Sequence, residues 1–338
     1  MKALFIGGTG TISTDITNLC VAQGWDLTVL NRGNTQIPNV SQWTYDINDE
    51  AAVKARLADE YFDVVVNFIN FVPSQIERDI RLFAGKTDQY IFISSASAYQ
   101  KPPNNLPITE STPLYNKFWD YSRNKIACEE RLIDEYRKNA MPITIIRPSH
   151  TYNNTNVPLY LHGKKGSWST LKRMLDGKPV LMCGDGATLW TLTHSEDFAR
   201  AFVGIMGNSH AIGEAIHITT DEALTWNRIY SIIAHELGVT PKIHYIPSDF
   251  IISLSPEHEG PLLGDKANNA IFDNSKIKKF VPTFTAKIRF EQGIKAPIKR
   301  FLDNPSLQQP DPDFENFTDV IIETQTAALT EARAKLKL

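Results

Sequence analysis

Lys2-Ala3-Leu4-Phe5-Ile6-Gly7-Gly8-Thr9-Gly10-Thr11-Ile12-Ser13 decides how the rest of this chain is read. A short apolar run leads into three glycines within four residues and then into a segment able to start a helix. Glycine adopts backbone angles closed to other residues and lets a ligand approach the main chain. The unpaired N–H groups and the dipole of a following helix attract phosphate. The stretch therefore reads as strand, tight turn and helix, built to hold a pyrophosphate. An ordinary turn after a buried strand is the plain alternative.

Moving outward, a helix is expected over 14–23, ended by Gly24, and a second strand over 26–30. Asn31-Arg32-Gly33 closes that strand. An acidic residue here binds the ribose hydroxyls of NAD, whereas an arginine accommodates the phosphate of NADP. Asn31 and Arg32, with no carboxylate beside them, lean towards NADP over NAD; a solvated turn arginine is the alternative. Residues 43–47 read as a short strand leading to Asp46 and Ile47, and Asp46 equally suits the cap of a helix starting near Asp49. The run over 62–68, ending in Asn67 and Phe68, is apolar and β-branched without alternation. A parallel sheet covered on both faces requires that pattern. Further strands follow over 89–95, ending in Ser94 and Ser95, and over 141–148, ending in Pro148, with helices over 75–83 and 118–138.

Alternating strands and helices predict an α/β fold, a Rossmann-like doubly wound parallel sheet whose ligands lie beyond the carboxyl ends of the strands. Gly7, Arg32, Asp46, Asn67 and Ser95 all fall at those ends, which supports a dinucleotide site more strongly than the glycine loop alone. Residues 1–150 form the expected dinucleotide-binding domain, with a returning segment near 190–220. Residues 151–189 and 221–338 form a smaller mixed α/β C-terminal lobe for substrate.

Composition narrows the function classes. The chain has 338 residues, 42% hydrophobic and 22% charged, with a net charge of -3. That is a globular balance with no basic surface for nucleic acid. Its three cysteines, Cys20, Cys128 and Cys183, are far apart and odd in number. They suggest neither a disulfide framework nor zinc and fit a reducing compartment. No apolar run reaches spanning length, and a strand starting at Lys2 leaves no room for a signal peptide. A cytoplasmic protein is expected. His150, His194 and His217 lack metal-ligand spacing, so no metal is expected.

The second chemical signal is Tyr121-Ser122-Arg123-Asn124-Lys125. A four-residue spacing puts Tyr121 and Lys125 on one helical face. An ammonium near the phenol favours the phenolate and lowers a pKa that otherwise stands near 10. Lys125 can also bind a nicotinamide ribose, and Ser95 can hydrogen-bond a substrate oxygen. Together they make a proton-transfer device beside a hydride carrier.

Gly7-x-x-Gly10-x-x-Ser13, the hydroxyl-tipped strand, the Tyr-Lys pair and Asp273-Asn274-Ser275-Lys276 make the chain resemble extended short-chain dehydrogenase/reductases, the NAD(P)-dependent epimerase/dehydratase family, over nearly its whole length. The resemblance implies a catalytic triad of Ser95, Tyr121 and Lys125. It implies a cofactor held by Gly7, Gly10, Thr11, Ile12 and Ser13 at the pyrophosphate, and by Asp46 and Ile47 at the adenine. Asn31, Arg32, Asn67 and Phe68 are further cofactor candidates. Pro148 and His150 would border the nicotinamide, and Ser97, His150 and Trp190 the substrate.

Departures from the family matter as much. Ser95 is followed by Ala96-Ser97-Ala98 in place of the Asp-Glu pair of family dehydratases, which argues against dehydration. Trp190 stands where nucleotide-sugar epimerases carry a diphosphate-binding arginine, and Leu262-Leu263 precede Gly264-Asp265 where a second arginine is found. Lys164, Lys165 and Lys172 are possible substitutes; Lys164-Lys165 reads equally as a solvated loop. Trp119 and Trp190 could line a sugar face or fill core.

The expected activity is epimerisation of a sugar or nucleotide-sugar hydroxyl through transient hydride transfer. An NADP-linked carbonyl reductase is the alternative. Leu263-Gly264-Asp265-Lys266 with Phe272-Asp273-Asn274-Ser275-Lys276 is also similar to the atypical branch containing chloroplast stem-loop RNA-binding proteins, which leaves a non-catalytic dinucleotide- or RNA-binding scaffold as a third reading. The helix carrying Tyr121 also carries Ile126, Leu132, Ile133 and Tyr136. A stripe that wide asks for a second partner, and the family pairs this helix and its predecessor with their copies. A homodimer is expected, with Leu132 on the stripe's outer edge.

Overall fold

A computed structural model describes residues 1–337. Seven parallel strands form the main sheet in the order Ala215–Ile218, β6 (Ile143–Pro148), β5 (Tyr90–Ile93), β4 (Val64–Asn67), β1 (Lys2–Ile6), β2 (Asp26–Asn31) and β3 (Ser41–Thr44). Chain order reverses direction at β1, with β2 and β3 on one side and β4 to β6 on the other. Register is continuous across that switch, with Ile6 opposite Leu30 on one side and Asn67 on the other.

Both faces of the sheet are covered, which is why its strands read as unbroken apolar runs. On one face Ala3, Phe5, Val64, Val66 and Ile91 pack with α1 (Ser13–Ala22) and the helix Ser195–Ile205 through Ile16, Phe198 and Phe202. On the other, Leu4, Ile6, Val65, Tyr90 and Phe92 pack with α2 (Glu50–Arg56), α3 (Pro73–Phe83) and α4 (Asp120–Asn139). Asp49, not Asp46, caps α2, accepting from the Ala52 amide at 3.1 Å.

The chain divides into two compact units. The first comprises Met1–Asn153, Leu189–Ala223 and Glu259–Arg289, and the second Asn154–Thr188, Leu224–His258 and Phe290–Leu338. The segment Glu259–Arg289, placed in the substrate lobe on sequence, thus belongs with the sheet. In the second unit, Pro179–Cys183 pairs in parallel with Lys242–Ile246. The helix Trp168–Leu175 meets the long helix Pro312–Leu336 through an Arg173–Asp319 ion pair of 2.7 Å. Two short helices, Phe290–Gly293 and Lys295–Asp303, precede the long one.

The stripe on α3 and α4 is largely consumed inside the chain. Ile76, Phe83 and Leu132 are fully buried in the core of their own sheet, so Leu132 does not lie on an outer edge. Ion pairs cover the flank they leave, with Arg131 reaching Glu77 on α3 and Glu135 on α4. No helix among the described residues is long and apolar enough to cross a membrane.

Candidate functional site

The first turn of the chain has the conformation that its glycines foretell. Gly7 and Gly8 have φ of +104° and +102°. A Cβ at Gly7 would stand 3.2 Å from Ile69, and one at Gly8 3.2 Å from Val29. Only glycine takes these angles routinely. Gly10 starts the helix, its carbonyl accepting from the Thr14 amide at 3.1 Å and its amide donating to the Ser13 hydroxyl at 2.8 Å. Thr11 and Ile12 complete that first turn.

Beyond the ends of β1, β2 and β3 lies a cavity of about 360 Å³. Gly7, Thr9, Asn31, Arg32, Asp46, Ile47 and Ile69 are among its walls. The Asn31 carboxamide is turned to the Gly33 amide at 2.9 Å, and Asp46 receives the Asn48 amide at 2.9 Å. Arg32 is exposed and makes no ion pair among the described residues. Positive-φ glycines at a strand end, a helix N-terminus and this cavity suit a dinucleotide. Asn67 and Phe68 do not line it. Asn67 is buried, donating to Asp79 at 2.6 Å and accepting from the Ile69 amide at 2.8 Å, while Phe68 packs edge-on against Phe5. Ile69, which the sequence reading passed over, takes the place at the wall.

A second cavity, of about 240 Å³, lies beyond β5 and β6. It brings together Ser95, Ser97, Tyr121, Pro148, His150 and Trp190, all anticipated, with Trp119, Lys101, Asp265 and Phe272. The Ser95 hydroxyl lies near the Tyr121 phenol, both in the wall of this cavity, and pairs with the Ser97 hydroxyl at 2.9 Å. Ser122 donates to Ser97 at 2.7 Å. Trp119 lies against the Tyr121 ring with centroids 4.9 Å apart, and the Trp190 indole N–H donates to His150 at 3.4 Å.

The helix carrying Tyr121 is locked to the strands by buried charge. Arg147 at the end of β6 pairs with Glu129 of α4 at 2.5 Å, and Ser94 donates to the same carboxylate. Breaking such a buried pair by removing one partner costs about 3–5 kcal/mol. That link fixes α4 relative to Ser95.

Lys125 differs from its expectation. Its ammonium donates to the carbonyls of Asn70 and Ile93 at 2.6 and 2.7 Å and lies over the Tyr121 ring, 5.7 Å from its centroid, not beside the phenol. Burial lowers the Lys125 pKa to about 8. Burial also raises that of Tyr121, with Ser95 pulling it back down and Asp265 pushing it further up. Desolvation therefore outweighs the help the ammonium was expected to give. His217 is a satisfied structural histidine, bonded to the Tyr99 hydroxyl at 3.1 Å and the Asp273 carbonyl at 2.8 Å.

Comparisons with known proteins agree with this geometry. The family model for the NAD dependent epimerase/dehydratase family matches residues 3–219. The chain is 27% identical to the chloroplast stem-loop binding protein of 41 kDa b of Arabidopsis thaliana, covering 74% of this chain and 67% of that one. It is 23% identical to the 2'-dehydrokanamycin reductase of Streptomyces kanamyceticus, covering 84% and 80%. An epimerase structure from Methanothermobacter thermautotrophicus superposes with a TM-score of 0.73 at 17% identity, covering 90% of this chain and 93% of that one. The glycine turn, the parallel sheet and the matched model lead to one conclusion: this chain belongs to the NAD-dependent epimerase/dehydratase family.

Proposed function

We propose that the chain is an NAD(P)-dependent oxidoreductase acting on a hydroxyl or carbonyl of a sugar or sugar-like molecule, and that it epimerises the carbon bearing that oxygen. The observation that carries this is that Ser95 and Tyr121 converge in the wall of the second cavity, with Lys125 one helical turn on. A bound nicotinamide would supply the hydride acceptor and donor. Tyr121 then takes or returns the proton at the substrate oxygen, a transfer that needs hydrogen-bond reach. Ser95 orients that oxygen, and Ser97, tied to Ser95 and Ser122, fixes Ser95. Lys125 serves the ribose, and Pro148 and His150 border the nicotinamide. Gly7, Gly10 and Ser13 hold the pyrophosphate, Asp46 and Ile47 the adenine. Asn67 and Phe68 contribute through their backbone alone, because their side chains are engaged elsewhere. Arg32, exposed and without an acidic neighbour in the strand-end turn, favours NADP.

One observation favours a second reading, a carbonyl reductase. Trp190 and Leu262 are buried where family epimerases place arginines, and among the described residues Lys101 is the one lysine or arginine lining the second cavity. A diphosphate would lose its charge-assisted hydrogen bonds there, and the similarity to a reductase points the same way. The similarity to a stem-loop binding protein names the non-catalytic alternative.

Cofactor behaviour separates the three. Purified protein incubated with NADP(H) and candidate nucleotide sugars should retain and recycle its cofactor if it epimerises. A reductase consumes NADPH stoichiometrically, and a scaffold does neither. Failure to bind any nicotinamide cofactor overturns the proposal. Association as a homodimer through α3 and α4 would use Ile126, Ala127 and Ile133, which α4 leaves partly exposed. A monomer at micromolar concentration in light scattering ends that part of the proposal.

A further inference from the structure

Beside Ser95 and Tyr121 the second cavity holds a pair of groups that proton and hydride transfer do not use. Lys101 is 2% exposed, and it lines the cavity. Asp265 lines it too, with Oδ1 3.9 Å from the Lys101 ammonium. That separation is beyond hydrogen-bond reach. Among the described residues neither the ammonium nor the carboxylate makes a hydrogen bond, the Asp265 side chain keeps 21% of its surface exposed, and Lys266 adds a second positive charge near it. Buried polar groups are normally satisfied, and leaving them unmet is costly. Burial pulls the Lys101 pKa below its ordinary value and pushes that of Asp265 above it, as expected for charges short of partners.

The pair is held in place from both sides. The Lys101 amide donates to the Tyr115 carbonyl at 3.0 Å. Asn116 donates to the Ser97 carbonyl at 2.9 Å and the Gly264 carbonyl at 2.7 Å, stitching the loop before α4 to the π-helical turn Leu262–Lys266 that carries Asp265. Gly260 allows this approach, since a Cβ there would stand 2.2 Å from Trp119.

We propose that Lys101 and Asp265 together read one neutral hydroxyl of the substrate, the ammonium donating to its oxygen and the carboxylate accepting its O–H. This rests on the proposal that the second cavity holds the substrate. A hydroxyl oxygen about 2.8 Å from each group spans their gap at close to a right angle. Charge selects the class. A carboxylate or phosphate seated on Lys101 would face Asp265, and an amine on Asp265 would face Lys101. A hydroxyl, donor and acceptor at once, satisfies both. The site therefore takes a neutral polyol with a free hydroxyl near the reacting carbon. Analogues lacking that hydroxyl strand the buried Lys101 ammonium and the half-buried Asp265 carboxylate, and a site left with unmet polar groups discriminates strongly.

The test is saturation-transfer NMR on the NADP-loaded protein, with methyl glucoside, methyl galactoside, glucuronate and glucosamine as probes. At least one neutral glycoside should bind more tightly than the charged sugars. Lys101→Met and Asp265→Asn should each weaken it at least tenfold. The double variant should lose little more, because both groups serve one hydroxyl. Calorimetric NADP affinity should stay unchanged in each variant, which reports that it folds. Tyr121→Phe should keep glycoside binding while losing turnover, so failure of the catalytic assignment would show separately, as turnover retained in that variant. Absence of binding by either neutral glycoside, tighter binding of glucuronate or glucosamine, or unaltered binding in Lys101→Met overturns the inference.

Discussion

The two cavities of the first unit are assembled on opposite plans. The one around Gly7 draws its whole lining from residues 7–69, the stretch from β1 to just past β4. The one around Tyr121 gathers residues from 95–101, 119–121, 148–150, 190–191 and 265–272. The first depends on local backbone geometry that a few glycines dictate. The second depends on distant segments brought into register by buried ion pairs and side-chain hydrogen bonds. Chemistry shared by many proteins can be fixed by a short motif, whereas on the proposed function substrate choice is spread along most of the first unit. Loops on a rigid scaffold are where such differences accumulate.

Substitutions should respect that division. Tyr121→Phe touches the second cavity alone and should have the largest effect, a loss of turnover of about 10²–10⁴-fold, with NADP affinity kept within about twofold by calorimetry. Retention of most activity would remove Tyr121 from its role. Gly7→Ala attacks the first cavity alone. Forcing a side chain into the left-handed region costs about 1–2 kcal/mol, so cofactor affinity should fall by about tenfold while glycoside binding at the second cavity persists. Loss of both together would show that the cavities are not independent.

Lys125 stands between the two, and pH should reveal it. Burial lowers its folded pKa to about 8 from 10.5, so between those values the unfolded chain holds a proton that the folded chain has released. Stability should therefore rise with pH from about 8 to 10.5 and take no contribution from this group below 8. Over the same window cofactor affinity should fall, as the ammonium that serves the ribose is lost. Denaturant midpoints and calorimetry across pH 7–10.5 check both trends, and Lys125→Met should abolish them. The smallest effect belongs to Arg32→Ala. A single exposed phosphate contact contributes about 1 kcal/mol or less, so the preference for NADP should narrow a few-fold. Tighter binding of NAD than NADP by the unmodified protein would reverse the cofactor assignment.

The same division explains what could be read from sequence. Each parallel strand is a contiguous apolar run with its functional residue at the end, so Gly7, Arg32, Asp46 and Ser95 could be placed without coordinates. Tyr121 and Lys125 declared themselves by helical spacing. Their electrostatics did not, because burial and the Asn70 and Ile93 carbonyls depend on segments far away in sequence. Leu132 was placed on an outer edge because periodicity shows how wide an apolar stripe is, not how much of it the chain's own sheet consumes. Lys101 was passed over, although a charged residue six positions after a site-forming serine, in the loop leaving that strand, was a usable signal. Asp265 stands out in the sequence only through motif likeness, as the residue after a missing arginine and within the segment similar to the stem-loop branch. Its meaning depends on a neighbour 164 positions away, a distance no local pattern spans.

The return of Glu259–Arg289 to the first unit has a consequence for biosynthesis. On a growing chain, the residues lining the Gly7 cavity are all present once residue 69 has emerged, but Asp265 and its π-helical turn follow nearly two hundred residues later. Until then Trp119 and Asn116 lack the segment that packs against them, and Lys101 stands without its counter-charge. Long-range closures of this kind form late. On the proposed roles of the two cavities, the nascent chain thus acquires its means of holding a nucleotide well before its means of selecting what that nucleotide will act upon.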